Sequence, residues 1–190
     1  LDQLAEFGIE TREKEQALKV TWFAGDAFRV QIGGKIVVLN PASAIGVELR
    51  ELVSGADMVI DGTAGLDSVD ALAWRPYRPA SALFDESAAD VRAYAIEAGG
   101  GLLISAPGEP PLLFLHGSPS IMGRWVRDAV VIPVDASPQQ AIIAIIEILA
   151  PALVLVRDVD LLQIDFGLVA ASVDGTALQV LESGMGVEFG

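Results

Sequence analysis

The residues able to do chemistry are few. One histidine stands in the 190 residues, at position 116, in the run Leu115-His116-Gly117-Ser118-Pro119-Ser120. An imidazole titrates close to neutral pH, so His116 can act as a general base or simply close a strand with an ordinary hydrogen bond. With Ser118 or Ser120 and a nearby aspartate it has the components of a nucleophilic triad. The Gly-X-Ser-X-Gly elbow that presents a serine on a hydrolase sheet is absent. Carboxylates are the other candidates. Asp61, Asp67, Glu109 and, less directly, Asp26 are oxygen donors of the kind that hard cations such as Mg²⁺ or Mn²⁺ take. Scattered carboxylates are also ordinary in a chain this acidic. Zinc asks for imidazoles and thiolates converging at about 2 Å from the metal. One histidine and no cysteine cannot supply them, so no zinc and no other cofactor is expected, and no metal ligand is assigned.

Two glycine runs, Gly62-Thr63-Ala64-Gly65 and Gly99-Gly100-Gly101, lack the Gly-Lys-Ser/Thr ending of a phosphate loop and the dinucleotide fingerprint. They read as a loop and a helix stop. The most basic stretch is Arg75-Pro76-Tyr77-Arg78-Pro79, preceded by Trp74. Arginines and large aromatics dominate binding hot spots, which makes Trp74, Arg75, Tyr77 and Arg78 the binding candidates; the plainer reading is a loop covering the end of a sheet.

Composition limits what these residues can serve. Twelve basic against 26 acidic side chains leave a formal charge of −14. Such a surface repels phosphate backbones and anionic lipid, so nucleic acid is not expected as a partner. The absence of cysteine excludes thiolate catalysis and disulfides and fits a reducing compartment, with a cytoplasmic location expected. Hydrophobic content of 52% and mean hydropathy of +0.50 are high. The most apolar run, 141–156, is nevertheless too short to span a bilayer and is broken by Glu147 and Pro151. No basic stretch precedes an apolar one at the start of the sequence. Strands buried on both faces, with helices covering sheets, account for this apolar content.

The elements that position the candidates follow from local pattern. Residues 1–17 are charged and read as an extension outside the core. Segments 18–23, 28–32 and 35–39 read as strands, the last two joined by a Gly33-Gly34 hairpin turn and the third stopped at Asn40-Pro41. A short helix over 46–53 and a buried strand at 58–60 precede an irregular stretch, 61–85. A helix capped by Asp85 or Ser87 is expected to run to about 98, with Val91, Tyr94, Ala95 and Ala98 on one face. Strands follow at 102–105, 111–115 and 129–134, with a helical turn at 121–127. Ser137-Pro138 starts a helix to about 149, apolar nearly all round and so buried between layers or at a subunit interface. A strand at 153–156 and a hairpin of 168–172 and 176–181 around Asp174-Gly175 complete the pattern.

Several motifs in this order resemble the lactonase-like branch of the metallo-β-lactamase superfamily. Val20-Thr21-Trp22-Phe23, Phe28-Arg29-Val30 and Gly33-Gly34-Lys35-Ile36-Val37-Val38-Leu39-Asn40-Pro41 look like its opening, with Ala24-Gly25 at the Gly-His pair and Asn40 at the aspartate of Asp-Pro. Ala56-Asp57-Met58-Val59-Ile60 resembles the strand that delivers the His-X-His-X-Asp-His loop. Thr63 and Gly65 then stand at the first two histidines, Asp67 keeps the aspartate, and Ser68 stands at the last histidine. Pro107-Gly108-Glu109 looks like the family's Pro-Gly-Glu. Residues 113–120 resemble its His-Leu-Gly-Asp stretch, with Leu115 at the histidine, Gly117 at the glycine and Ser118 at the metal-bridging aspartate. The segment 128–133 and then 141–156 resembles the Asp-hydrophobic-Pro strand and its helix, and the final ligand falls near Arg157.

The resemblance spans roughly 18–182 and implies an α/β fold, a four-layer αββα sandwich of two mixed sheets flanked by helices. It places the metallo-β-lactamase-like domain over 18–190. Because the departures fall on metal positions, function does not come with the fold. The expectation is a non-catalytic binding or structural subunit with a protein partner or a second copy. The alternative is a divergent metal-dependent hydrolase using Asp61, Asp67, Glu109 and His116.

Overall fold

The computed structural model describes residues 17–62, 64, 66, 68–69, 90–96, 100–116, 128–134, 138–158, 164–165, 167, 169 and 175–189. They form two mixed sheets in two compact units, one of 1–62 with 183–190, the other of 63–182. The α/β class expected from the sequence is the class observed.

The first unit holds a five-stranded sheet of β1 (Leu18–Trp22), β2 (Phe28–Ile32), β3 (Lys35–Leu39), β4 (Met58–Ile60) and β12 (Gly186–Phe189), ordered β12-β1-β2-β3-β4. All neighbours are antiparallel except β3 and β4. Alternation decides which face is core: Leu18, Val20, Trp22, Phe28, Val30, Ile32, Val37 and Leu39 are buried, and the residues between them mostly are not. At the β2–β3 turn Gly33 and Gly34 both have positive φ, 54° and 72°, as a two-residue hairpin of this twist requires. Over the other face, Val38 packs with Leu52, Ala27 and their neighbours. The helix expected over 46–53 is only Leu49–Leu52, and Arg29 Nη1 donates to the Leu52 and Ser54 carbonyls at its end.

The second unit holds a seven-stranded sheet: β5 (Ser68–Val69), β6 (Arg92–Ile96), β7 (Gly101–Ser105), β8 (Leu112–Leu115), β9 (Val130–Pro133), β10 (Leu153–Arg157) and β11 (Ala177–Leu181). Its order is β11-β10-β9-β8-β7-β6-β5, with β8 to β11 mutually parallel. A long helix, Pro138–Leu149, connects β9 to β10. Its Ile142, Ile145, Ile146 and Leu149, spaced as one helical stripe, pack against Leu113, Leu115, Val131, Val154 and Val156. Each such side chain contributes about 2 kcal/mol by leaving water. On the sheet's other face Leu112, Phe114, Val130, Ile132 and Leu155 are equally buried, which explains why these strands read as unbroken apolar runs.

Several expectations need correction. The helix expected to reach 98 is instead strand β6, paired with β7 along its length and with β5 on its other edge. Alanine-rich local preference for a helix yields there to ladder bonds on both sides. Gly99-Gly100-Gly101 therefore ends no helix: Gly101 opens β7, with φ 124°. A Cβ at that position would collide with the Phe114 carbonyl of β8. Among the described residues the hairpin expected around Asp174-Gly175 is not found. Gly167 and Val169 are helical, Val169 N–H donates to the Asp165 carbonyl, and β11 lies parallel to β10. The strand at 58–60 is buried only at Ile60, because it is the sheet edge. The long helix is buried on one stripe rather than all round; Gln140 and Glu147 are exposed. β5 and β12 were not anticipated. The extension 1–16 and the helical turn at 121–127 lie outside the described residues.

Candidate functional site

The described candidate residues, Asp26, Asp61, Glu109 and His116, lie next to strand ends, and the two units build those ends differently. In the first unit the hub is Asn40, which follows β3 in the left-handed conformation with φ 44°. Asparagine tolerates this region because its short amide bonds locally. Its side chain donates from Nδ2 to the Asp26 carbonyl (3.3 Å) and accepts at Oδ1 from Gly62 N–H (2.9 Å). Its backbone N–H reaches the Ile60 carbonyl at 2.7 Å. The Ser43 hydroxyl donates to the Asn40 carbonyl (2.9 Å) and accepts from Asp26 N–H (3.2 Å). One amide and one hydroxyl thus tie together three loops, those at 24–27, 40–44 and 60–62. Gly25 fits beneath them with φ 53°; any Cβ there would stand 2.5 Å from the Ser43 carbonyl oxygen. Trp22 Nε1 closes the first loop by donating to the Gly25 carbonyl at 2.9 Å.

This hub brings the segments carrying Asp26 and Asp61 to one end of the sheet, and both residues are exposed. An asparagine there supplies a donor and an acceptor together, which an aspartate cannot. Sequence reasoning noted Asn40 only as a departure from Asp-Pro; the signal that could have found the hub is an asparagine directly before proline at a strand end.

In the second unit the carboxyl ends of the parallel strands are the place to look, since ligands of open α/β sheets bind there. Leu115 is level with Pro133, and Val134 N–H continues the ladder to the Leu115 carbonyl at 3.0 Å. Arg157 is level with Leu181, and the β9–β10 register brings it level with Val134. His116, Val134, Arg157 and Leu181 therefore form one row across four strands. Backbones two strands apart are about 10 Å distant, and residues level with one another in parallel strands lie on the same face of the sheet. That face is the one opposite the long helix, because Leu115 and Val156, one residue earlier in each strand, pack on the helix side.

Arg157 is 6% exposed, an unusual burial for a guanidinium. Asp158 follows it, with Oδ1 buried and without a hydrogen-bond partner. The sequence reading treated position 157 only as a missing histidine. The arginine itself was legible as one charge closing the apolar run Leu153-Val154-Leu155-Val156.

Of the four residues proposed to share acid–base or metal work, Glu109 and His116 can be compared within one unit, and they stand apart. Glu109 precedes β8 and His116 follows it, so the strand, about 13 Å long, separates them. Burial raises the Glu109 carboxyl above the ordinary glutamate range. Asp61 belongs to the first unit. Asp67, Ser118, Ser120 and the binding candidates Trp74, Arg75, Tyr77 and Arg78 lie outside the described residues. Among the described residues no three His, Asp or Glu side chains are placed to hold a metal ion. Also among them, no helix is long and apolar enough to cross a membrane.

No family model matches the chain, and no curated protein is similar to it in sequence. Its fold is similar to that of Igni18, a metallo hydrolase from the hyperthermophilic archaeon Ignicoccus hospitalis. The superposition has a TM-score of 0.55 and covers 92% of this chain and 99% of that one, at 16% identity. The chain has a metallo-hydrolase-like α/β fold.

Proposed function

We propose that this chain is a non-catalytic domain on a metallo-hydrolase scaffold, acting as a binding or structural subunit. The observation that carries the reading is Arg157. It stands at the strand end where the family resemblance puts the last metal ligand, nearly fully buried. A fixed positive charge at that place opposes a divalent cation and offers it no lone pair. The rest of the donor set fits no better: one histidine, no cysteine, and Leu115 turned into the helix-side core. A zinc centre therefore does not fit these residues, and no step is routed through one.

A divergent metal-dependent hydrolase is the second reading. It is favoured by the likeness to a metallo hydrolase and by the Asn40 hub, which holds the segments of Asp26 and Asp61 at one sheet end. Elemental analysis of natively purified, chelator-free protein separates the two. Trace metal per chain, with no hydrolysis on addition of Mg²⁺, Mn²⁺ or Zn²⁺, is the expected result. Near-stoichiometric metal would sink the first reading.

A further inference from the structure

Among the described residues β4 has β3 on one side and no strand on the other. Asn40 N–H donates to the Ile60 carbonyl at 2.7 Å, so alternation along the strand turns the Met58 backbone toward β3 as well and leaves the Val59 N–H and carbonyl facing outward. Proteins usually blunt such edges with lysine, proline or a bulge, because exposed strand backbones template pairing. Met58-Val59-Ile60 carries neither lysine nor proline. Val59 is 51% exposed although its ladder partner Val38 is fully buried.

Charge selects what can pair there. Asp57 and Asp61 stand at the two ends of the strand, both exposed. The Asp57 side chain keeps 42% exposure while accepting from Ile36 N–H and facing Lys35. If two copies paired antiparallel about Val59, Asp57 of each would face Asp61 of the other. Like charges directly opposite are destabilising, and here the clash would occur twice. A foreign strand with a basic residue two positions to either side of an apolar one turns both clashes into attractions.

We infer that β4 is a docking edge for an extended basic segment of another protein, of pattern basic-X-apolar-X-basic, which adds as a further strand of the five-stranded sheet. Main-chain bonds to Val59 supply affinity, contact with its side chain sets the register, and Asp57 and Asp61 choose the sign of charge. The net charge of −14 draws such a segment in from a distance. The inference rests on the reading of the chain as a binding domain.

The test is fluorescence anisotropy of a labelled peptide centred on Lys-Thr-Val-Thr-Arg, titrated with the full chain at low salt. Saturable binding is expected, weakened about tenfold by Asp61→Lys and comparably by the exposed change Val59→Glu, a loss of about 1.4 kcal/mol. The Asp61→Lys chain should in turn bind a peptide whose basic residues are replaced by glutamate. Circular dichroism of each variant confirms that it is folded. Equal binding of both peptides by the wild-type chain, indifference to Asp61→Lys, or no saturation would overturn the inference. Metal content of the same samples keeps the outcomes apart: a metal-poor chain that ignores the peptide sinks this edge alone, whereas a metal-loaded one sinks the binding reading with it.

Discussion

In β1 and β2 of the five-stranded sheet, buried residues alternate with half-buried ones, and polar groups gather where the strands stop. Strands β8, β9 and β10 of the seven-stranded sheet are buried on both faces, and at the end of β10 stands a buried charge, Arg157. The first unit is therefore held at its loops by hydrogen bonds that can be removed singly. The second is held by shape, and a local error there spreads through a close-packed interior. Stability in these units should respond to different kinds of substitution.

The sharpest way to break the second unit is Gly101→Ala. The new methyl would collide with the β8 backbone at a φ that alanine rarely adopts, so a loss of at least about 3 kcal/mol is expected in denaturant unfolding. A loss under 1 kcal/mol would mean that β7 and β8 yield easily. In the first unit Asn40→Ala should cost about 1–2 kcal/mol by orphaning Gly62 N–H and the Asp26 carbonyl. Hydrogen exchange should rise at Gly62 while β7 and β8 keep their protection; a uniform rise would erase the distinction between the units.

A smaller gain should come from Ala150→Gly. Ala150 ends the long helix with φ 47°, its N–H bonded to the Ile146 carbonyl, a conformation that suits glycine by about 0.5–1 kcal/mol. The smallest expected effects are opposite pH dependences. The hydrogen bond from Ile36 N–H, helped by Lys35 and opposed by desolvation, holds the Asp57 carboxyl below its usual range. Its contribution is therefore present above the unfolded-state pKa and lost as pH falls through the folded one. Glu109, raised by burial, has the reverse sign: its ionisation weakens the fold as pH rises through its folded pKa. Asp57→Asn should destabilise at pH 7 and not at pH 2, and Glu109→Gln should be neutral or stabilising at pH 7; urea midpoints at the two pH values would show any matching sign.

The same contrast explains what could be read in advance. Strands β1 to β3 were legible to the residue or nearly so, because alternation and Gly33-Gly34 are local signals. The Pro138 start of the long helix was legible for the same reason. β6 was misread because alanine, tyrosine and isoleucine at 93–96 fit a helical stripe as well as a strand, and only pairing with β5 and β7 decides between them. β11 was placed to within one residue at its start but as half of a hairpin rather than beside β10, since periodicity does not tell parallel pairing from a hairpin. The row shared by His116 and Arg157, and the loops joined by Asn40, depend on register between strands distant in sequence.

The pairing of β1 with β12 also bears on the order of events during synthesis. Lys19 and Glu188, 2.8 Å apart in the folded chain, are separated by 169 residues. A ribosome releases β1, β2 and β3 early, and they can form their meander while the strand that covers β1 does not yet exist. Closure over so long a loop costs only a slowly growing entropy, but the interval leaves β1 open to wrong partners. Lys19, on that waiting edge, is a charge of the kind that discourages them, and Glu188 arrives carrying the charge that accepts it. Gly186, bare where any side chain would strike Lys19 and Thr21, lets the late strand settle over residues already in place.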